Sequence, residues 1–175
     1  MSLPDEIAGV HQQIAHLSWL VGRWRGIGEG AYPGTEPFRY EEIVEFASDG
    51  RPFLEYRAVA WLVDDDNQRV AAAHTESGYW RGAPDNGVEA VLVHPTGFAE
   101  SWLGSVSVSN IVNAQITGAK MELRADVILG TPTATRIDSG MRLYGLVNGE
   151  LLMTYDKAAD GHTEQAHRWI RMQRA

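Results

Sequence analysis

The 175-residue chain contains no cysteine. That absence excludes a disulfide, a zinc–thiolate site, a thiolate nucleophile and a covalently attached c-type haem. It also suits a reducing compartment, so the expected location is the cytoplasm. No apolar run is long enough to span a bilayer, and no stretch reads as a secretory signal. Basic charge is scarce too. Fifteen Lys and Arg stand against 23 Asp and Glu, and the formal net charge of −8 argues against binding to nucleic acid or to an anionic membrane. Arg168, Arg171 and Arg174 form one short basic cluster, spaced as on a solvated strand edge. Familiar catalytic signatures are missing as well: there is no G-x-S-x-G elbow, no H-E-x-x-H pair and no P-loop.

What the chain has in abundance is alternation and turn chemistry. Met121, Leu123, Ala125, Val127 and Leu129 interleave with Glu122, Arg124 and Asp126, a clear period-two segment. Comparable runs fall at 38–46, 53–63, 70–81, 88–94, 98–108, 111–117, 136–147, 151–156 and 166–173. They are separated by turn signals: Asp49-Gly50, Asp64-Asp65-Asp66-Asn67, Asp85-Asn86-Gly87, Pro95-Thr96-Gly97, Asn148-Gly149 and Asp160-Gly161. Ahead of them, residues 2–20 (about 4–20 for the helix proper) read as one amphipathic helix. Ile7, Val10, Ile14 and Leu17 form its stripe, Ser2 and Asp5 resemble a capping box, and Pro4 suits the first turn. The expectation is an all-β domain spanning 1–175: a ten-stranded antiparallel up-and-down barrel, about 21–174, behind one short helix. A closed barrel removes the edges that so many strands would otherwise expose, and one of this size can hold a small ligand.

Gly22-Arg23-Trp24-Arg25-Gly26-Ile27-Gly28 is the most informative stretch. Its alternating glycines leave one strand face bare, so that another backbone or a flat ligand can approach closely, and Trp24 supplies the missing apolar body. Gly26-Ile27-Gly28-Glu29-Gly30 lacks the spacing and following helix of a dinucleotide turn. The acidic turn 64–66 lacks a calcium loop's spacing and reads as a solvated hairpin tip. Glu41 and Glu42 alternate faces. Glu42 shares its face with Phe38, Tyr40 and Val44, and if buried it needs an Arg or Tyr partner. Among the histidines, His11 and His16 read as exposed on the leading helix and His162 as exposed in a loop. His74 and Glu76 share one strand face, as a structural pair or around a shared ligand. His94 closes a strand as a hydrogen-bonded core residue. His167 opens the last strand after the loop Ala158–Gln165. A neutral imidazole at a barrel mouth suits iron, although pattern alone favours an ordinary structural role.

These motifs together resemble the nitrobindins. G-x-W-x-G-x-G (Gly22–Gly28) with Tyr32-Pro33, then Pro37–Glu42, Gly50–Leu54, His74–Tyr79 and His94–Gly97 keep the family's order from about Leu17 to Arg174. The resemblance implies a ten-stranded barrel holding one haem b non-covalently per chain. It implies that the ferric form isomerises peroxynitrite to nitrate, and that the haem also binds nitric oxide. Gly149-Glu150-Leu151 leads without a gap to His167, which the resemblance makes both the iron ligand and the catalytic residue. A slip of two or three residues would substitute Gln165 or Glu164. Implied haem contacts are Gly22, Trp24, Gly26, Gly28, Thr35 and Thr135.

There are departures from the family pattern. Arg168 stands where Leu is usual, Gly34 separates Tyr32-Pro33 from Thr35, and Thr135, beside Arg136, replaces a basic residue of some relatives. The implied chemistry needs His167 to bond iron through one nitrogen while a carboxylate or carbonyl holds its other N–H. It also needs an open position opposite, for which Met141 and Met153 are the rival ligands. The other readings are a haem-free carrier of a small apolar ligand such as a fatty acid, and an interaction protein with a filled barrel. Exposed apolar strand residues are compatible with a homodimer.

Overall fold

The computed structural model describes residues 9–175. Ten strands run as β1 (Gly22–Tyr32), β2 (Thr35–Ala47), β3 (Phe53–Val63), β4 (Arg69–Ala83), β5 (Gly87–Val93), β6 (Phe98–Val112), β7 (Gln115–Gly130), β8 (Ile137–Val147), β9 (Glu150–Ala159) and β10 (Gln165–Arg174). Each pairs antiparallel with its sequence neighbours, and β1 pairs with β10 to close the barrel. This is the calycin-like topology expected from the alternation.

The segment before β1 differs from expectation. It is a tight 3-10 helix, Gln12–Leu20, in which Ile14 departs from helical geometry (φ −120°, ψ 17°). Ser2, Pro4, Asp5 and Ile7 lie outside the described residues. Ile14, Leu17, Trp19 and Leu20 are all buried, so this segment plugs one end of the barrel rather than lying across it. His16 is buried, not exposed, with Nε2 2.9 Å from the Gly87 carbonyl. His11 caps the helix, its Nδ1 accepting from the Gln13 N–H at 3.2 Å.

The bare face of β1 is used by another backbone. A Cβ on Gly26 would overlap the Arg171 carbonyl, and one on Gly28 the Trp169 carbonyl and the Tyr40 ring. β10 therefore closes against β1 only because these positions carry no side chain. Asn148 and Gly149 (φ 53° and 80°) make the two-residue hairpin that their sequence announces. The run at 111–117, read as a strand, instead contains the β6–β7 hairpin. Asn113 and Ala114 turn there with φ 50° and 58°, a conformation that an alanine does not advertise. Trp24, Trp80, Trp102, Tyr144 and Phe46 fill the interior at and above the plugged end, leaving the opposite end open.

Candidate functional site

His167 owes its position to an irregularity in β10. Ala166 pairs with Asp156 and Arg168 with Tyr155, so His167 is an extra residue in the ladder. Such a β-bulge re-aims side chains. Here it turns both His167 and Arg168 inward, whereas strict alternation would place them on opposite faces. Three rings then fix the imidazole: Tyr32 and Tyr155 edge-on at 5.6 and 5.7 Å between centroids, and Phe38 tilted at 6.0 Å. Nδ1 is buried without a hydrogen-bond partner. The Ala31 backbone acts on the ring without reaching Nδ1 in hydrogen-bonding geometry, so the expected partner for that nitrogen is not in place. Burial, reinforced by the charges of Lys157 and Arg168, pushes the His167 pKa down to about 3. The ring is therefore neutral, as a metal ligand must be.

His167 lines a cavity of about 350 Å³, at the lower end of the range for small-molecule and cofactor sites. Val59, Ala60, Ala72, Ala73 and Ile137 give it apolar walls. Its lining residues His74, Glu76, Arg142 and Arg168 belong to a buried network whose carboxylates and guanidiniums come from five strands. Arg142 on β8 grips Glu76 on β4 through both terminal nitrogens (2.7 and 2.8 Å), and Tyr56 donates to the same carboxylate at 2.5 Å. Glu42 on β2 lies 2.8 Å from His74 Nε2 and 3.7 Å from Arg168. Glu100 on β6 accepts from Trp102 Nε1 at 3.1 Å and faces His94 Nε2 at 2.9 Å.

Burial pushes the Glu42 and Glu76 carboxyls up. Neighbouring groups outweigh it and hold both below the usual carboxylate range: the Arg168 charge and the His74 contact at Glu42, Arg142 and Arg168 at Glu76. Burial, aided by Arg168, lowers His74. The pairing of Glu42 with a buried arginine is as the sequence required. His74 and Glu76 do face the same cavity but bind different partners.

His167 and Thr135 come together at the cavity; the other implied contacts fall elsewhere. The Thr35 hydroxyl donates to the Tyr32 carbonyl at 2.9 Å in the exposed β1–β2 turn. Trp24 is buried in the core, its Nε1 donating to the Leu20 carbonyl at 2.8 Å. Gly22 abuts Arg174, and Gly26 and Gly28 serve the β1–β10 seam. Met153 is core and Met141 faces away from the interior beside Arg142; neither lines the cavity. Sequence reasoning missed Arg142 and Lys157, both on the inward face. Their signal was present, since each shares strand parity with buried apolar neighbours, Tyr144 and Tyr155.

An up-and-down barrel with a neutral histidine aimed into an open-ended cavity belongs to the class of small-ligand and cofactor-binding barrels. Residues 13–174 match the family of the THAP4-like, heme-binding beta-barrel domain. A peroxynitrite isomerase of Nocardioides sp. is 42% identical over 172 residues, covering 98% of this chain and 97% of the relative. A ferric nitrobindin-like protein of Thermobifida fusca is 35% identical, covering 94% and 95%. The crystal structure of Rv2717c from M. tuberculosis superposes with a TM-score of 0.83 at 33% identity over 99% of each chain. The chain belongs to the nitrobindin, or peroxynitrite isomerase, family.

Proposed function

We propose that this barrel holds haem b through His167 and isomerises peroxynitrite to nitrate, serving as a scavenger or sensor of reactive nitrogen species that also binds nitric oxide. The observation that carries the reading is the bulge that turns a neutral, ring-clamped imidazole into the cavity. Nδ1 is the sealed nitrogen, so a bound group meets the ring from its Nε2 side. When bound, ferric haem would supply a Lewis-acidic iron with one position open to a small anion, the chemistry that rearrangement of peroxynitrite to nitrate uses. Substrate and product share the same atoms and charge, so no side chain has to deliver a proton. The aromatic clamp of Tyr32, Phe38 and Tyr155 restricts the imidazole to one orientation. The position of both methionines keeps thioether sulfur out of the cavity. The charged lining of Glu76, Arg142 and Arg168 counts against a fatty acid, whose alkyl chain would have to lie on it.

The test is a hemin titration of the wild type and of His167→Ala, followed in the Soret region. Saturable one-to-one binding in the wild type is expected, weakened about a hundredfold or more in the variant. Unchanged binding in the variant would overturn the assignment. Peroxynitrite decay by the loaded protein then tests the activity.

A further inference from the structure

The chain has only two lysines. Lys120 is exposed and paired with Glu122 at 2.8 Å. Lys157 is different. It sits on the inward face of β9, two residues beyond Tyr155, and lines the same cavity as His167. Its ammonium rests 4.6 Å from the centre of the Tyr32 ring, a cation–π contact that uses none of its three N–H donors. Tyr32 is itself held fast, its hydroxyl accepting from the Ala159 N–H at 2.8 Å, and its ring centroid is 5.6 Å from that of His167. The Tyr32 ring thus places the ammonium on the same side of the cavity as the His167 imidazole.

Charge separates Lys157 from the other cations of the lining. Arg142 and Arg168 are committed to Glu76, Glu42 and Glu100. Three carboxylates against two guanidiniums leave that network with no net positive charge to offer an anion. Among the described residues no carboxylate lies within 4.0 Å of Lys157 Nζ and no acceptor is hydrogen-bonded to it. Its ladder neighbours do not fill the gap. Gly140 on β8 has no side chain, and the Gln165 side chain on β10 is turned to the Thr163 carbonyl at 3.1 Å. A half-buried ammonium with free donors attracts an anion more strongly than an exposed one, because less water screens it.

We propose that Lys157 is the anion-holding residue of the cavity mouth, receiving either a carboxylate edge of the bound porphyrin or a free oxyanion of nitrate size. This rests on the reading that the cavity takes a porphyrin. The test is designed to fail separately from that reading. Protoporphyrin IX, which carries the carboxylates and no iron, is titrated into wild type, Lys157→Met and Lys157→Arg by quenching of tryptophan fluorescence, beside its dimethyl ester. A loss of about tenfold in Lys157→Met for the free acid, restored by Lys157→Arg and absent for the ester, assigns the carboxylate. In parallel the two lysines are reductively 13C-methylated, which keeps their charge, and nitrate is added to the haem-free protein. A saturable shift of the Lys157 signal without one at Lys120, with porphyrin affinity unchanged, assigns the free oxyanion. If neither the porphyrin affinity nor the Lys157 signal responds, the proposal is overturned. Failure of the His167→Ala hemin test would instead remove iron ligation and leave both arms readable.

Discussion

A guanidinium sealed from solvent is tolerable only when its charge is answered, and Arg142 shows how closely that condition is met. Its two terminal nitrogens hold Glu76, its face lies 4.7 Å from the Trp102 ring, and Glu100 stands 3.6 Å away. The pair adds little net stability over an apolar substitute, but losing one partner strands the other in low dielectric. Arg142→Met is therefore expected to lower the unfolding free energy by about 3–5 kcal/mol in urea denaturation. Adding Glu76→Gln should recover part of that loss. Equal, additive losses from the two single changes would show that the pair is not coupled. The same reasoning gives buried Arg168 its role at the start of β10: it answers Glu42, whose closer partner His74 is held neutral by burial.

On β10, the direction in which His167 points depends on a single extra residue. Deleting Ala166 should restore regular pairing with β9, set His167 opposite Asp156 and turn it outward, while Arg168, Ile170 and Met172 keep their register. The expected product is a folded barrel by far-UV circular dichroism that binds hemin as weakly as His167→Ala. Full retention of hemin affinity would show that the bulge does not aim the ligand. Alternation read from the sequence could not reveal this. Ile170 and Met172 define the inward face, and on a regular strand that parity excludes His167. The family resemblance pointed to a residue that the structure turns toward the cavity, whereas periodicity argued against it. At the β6–β7 hairpin Ala114 hid a turn in the same way, because nothing in an alanine signals positive φ. Asn148-Gly149 was legible because its residue types match its geometry.

At the scale of the whole molecule, acid acts on several buried groups at once. Burial lowers His16, His74 and His167, the last to about 3. In the unfolded chain these histidines take up protons near 6.5. As pH falls through that value the unfolded state binds more protons than the native state, and stability drops. Glu41, Glu42 and Glu76 lie below the ordinary carboxylate value of 4.5. Their contribution is complete above that pH and is lost below it. Thermal melts of the haem-free protein should therefore show Tm falling from pH 7.5 to 5.0 through the histidines, then more steeply below pH 4.5. A flat Tm between 7.5 and 5.0 would mean that these imidazoles are not held neutral.

The sequence by itself determined the barrel. Antiparallel pairing between neighbouring strands is local, so alternation and turn residues suffice to lay the strands out in order. The glycines of β1 show where another backbone must come close. It also determined that no thiolate or disulfide takes part, because the chain has no cysteine. The tertiary structure decided which charged side chains meet. Glu42, Glu76, Glu100, Arg142 and Arg168 come from strands far apart in the chain, and their mutual distances are set by barrel closure rather than spacing. It also decided that His167 faces inward and that Lys157 stands free beside it. One depends on a bulge and the other on no carboxylate among the described residues forming an ion pair with it, Asp160 acting on the ammonium only from beyond that reach, and neither is a property of any single strand.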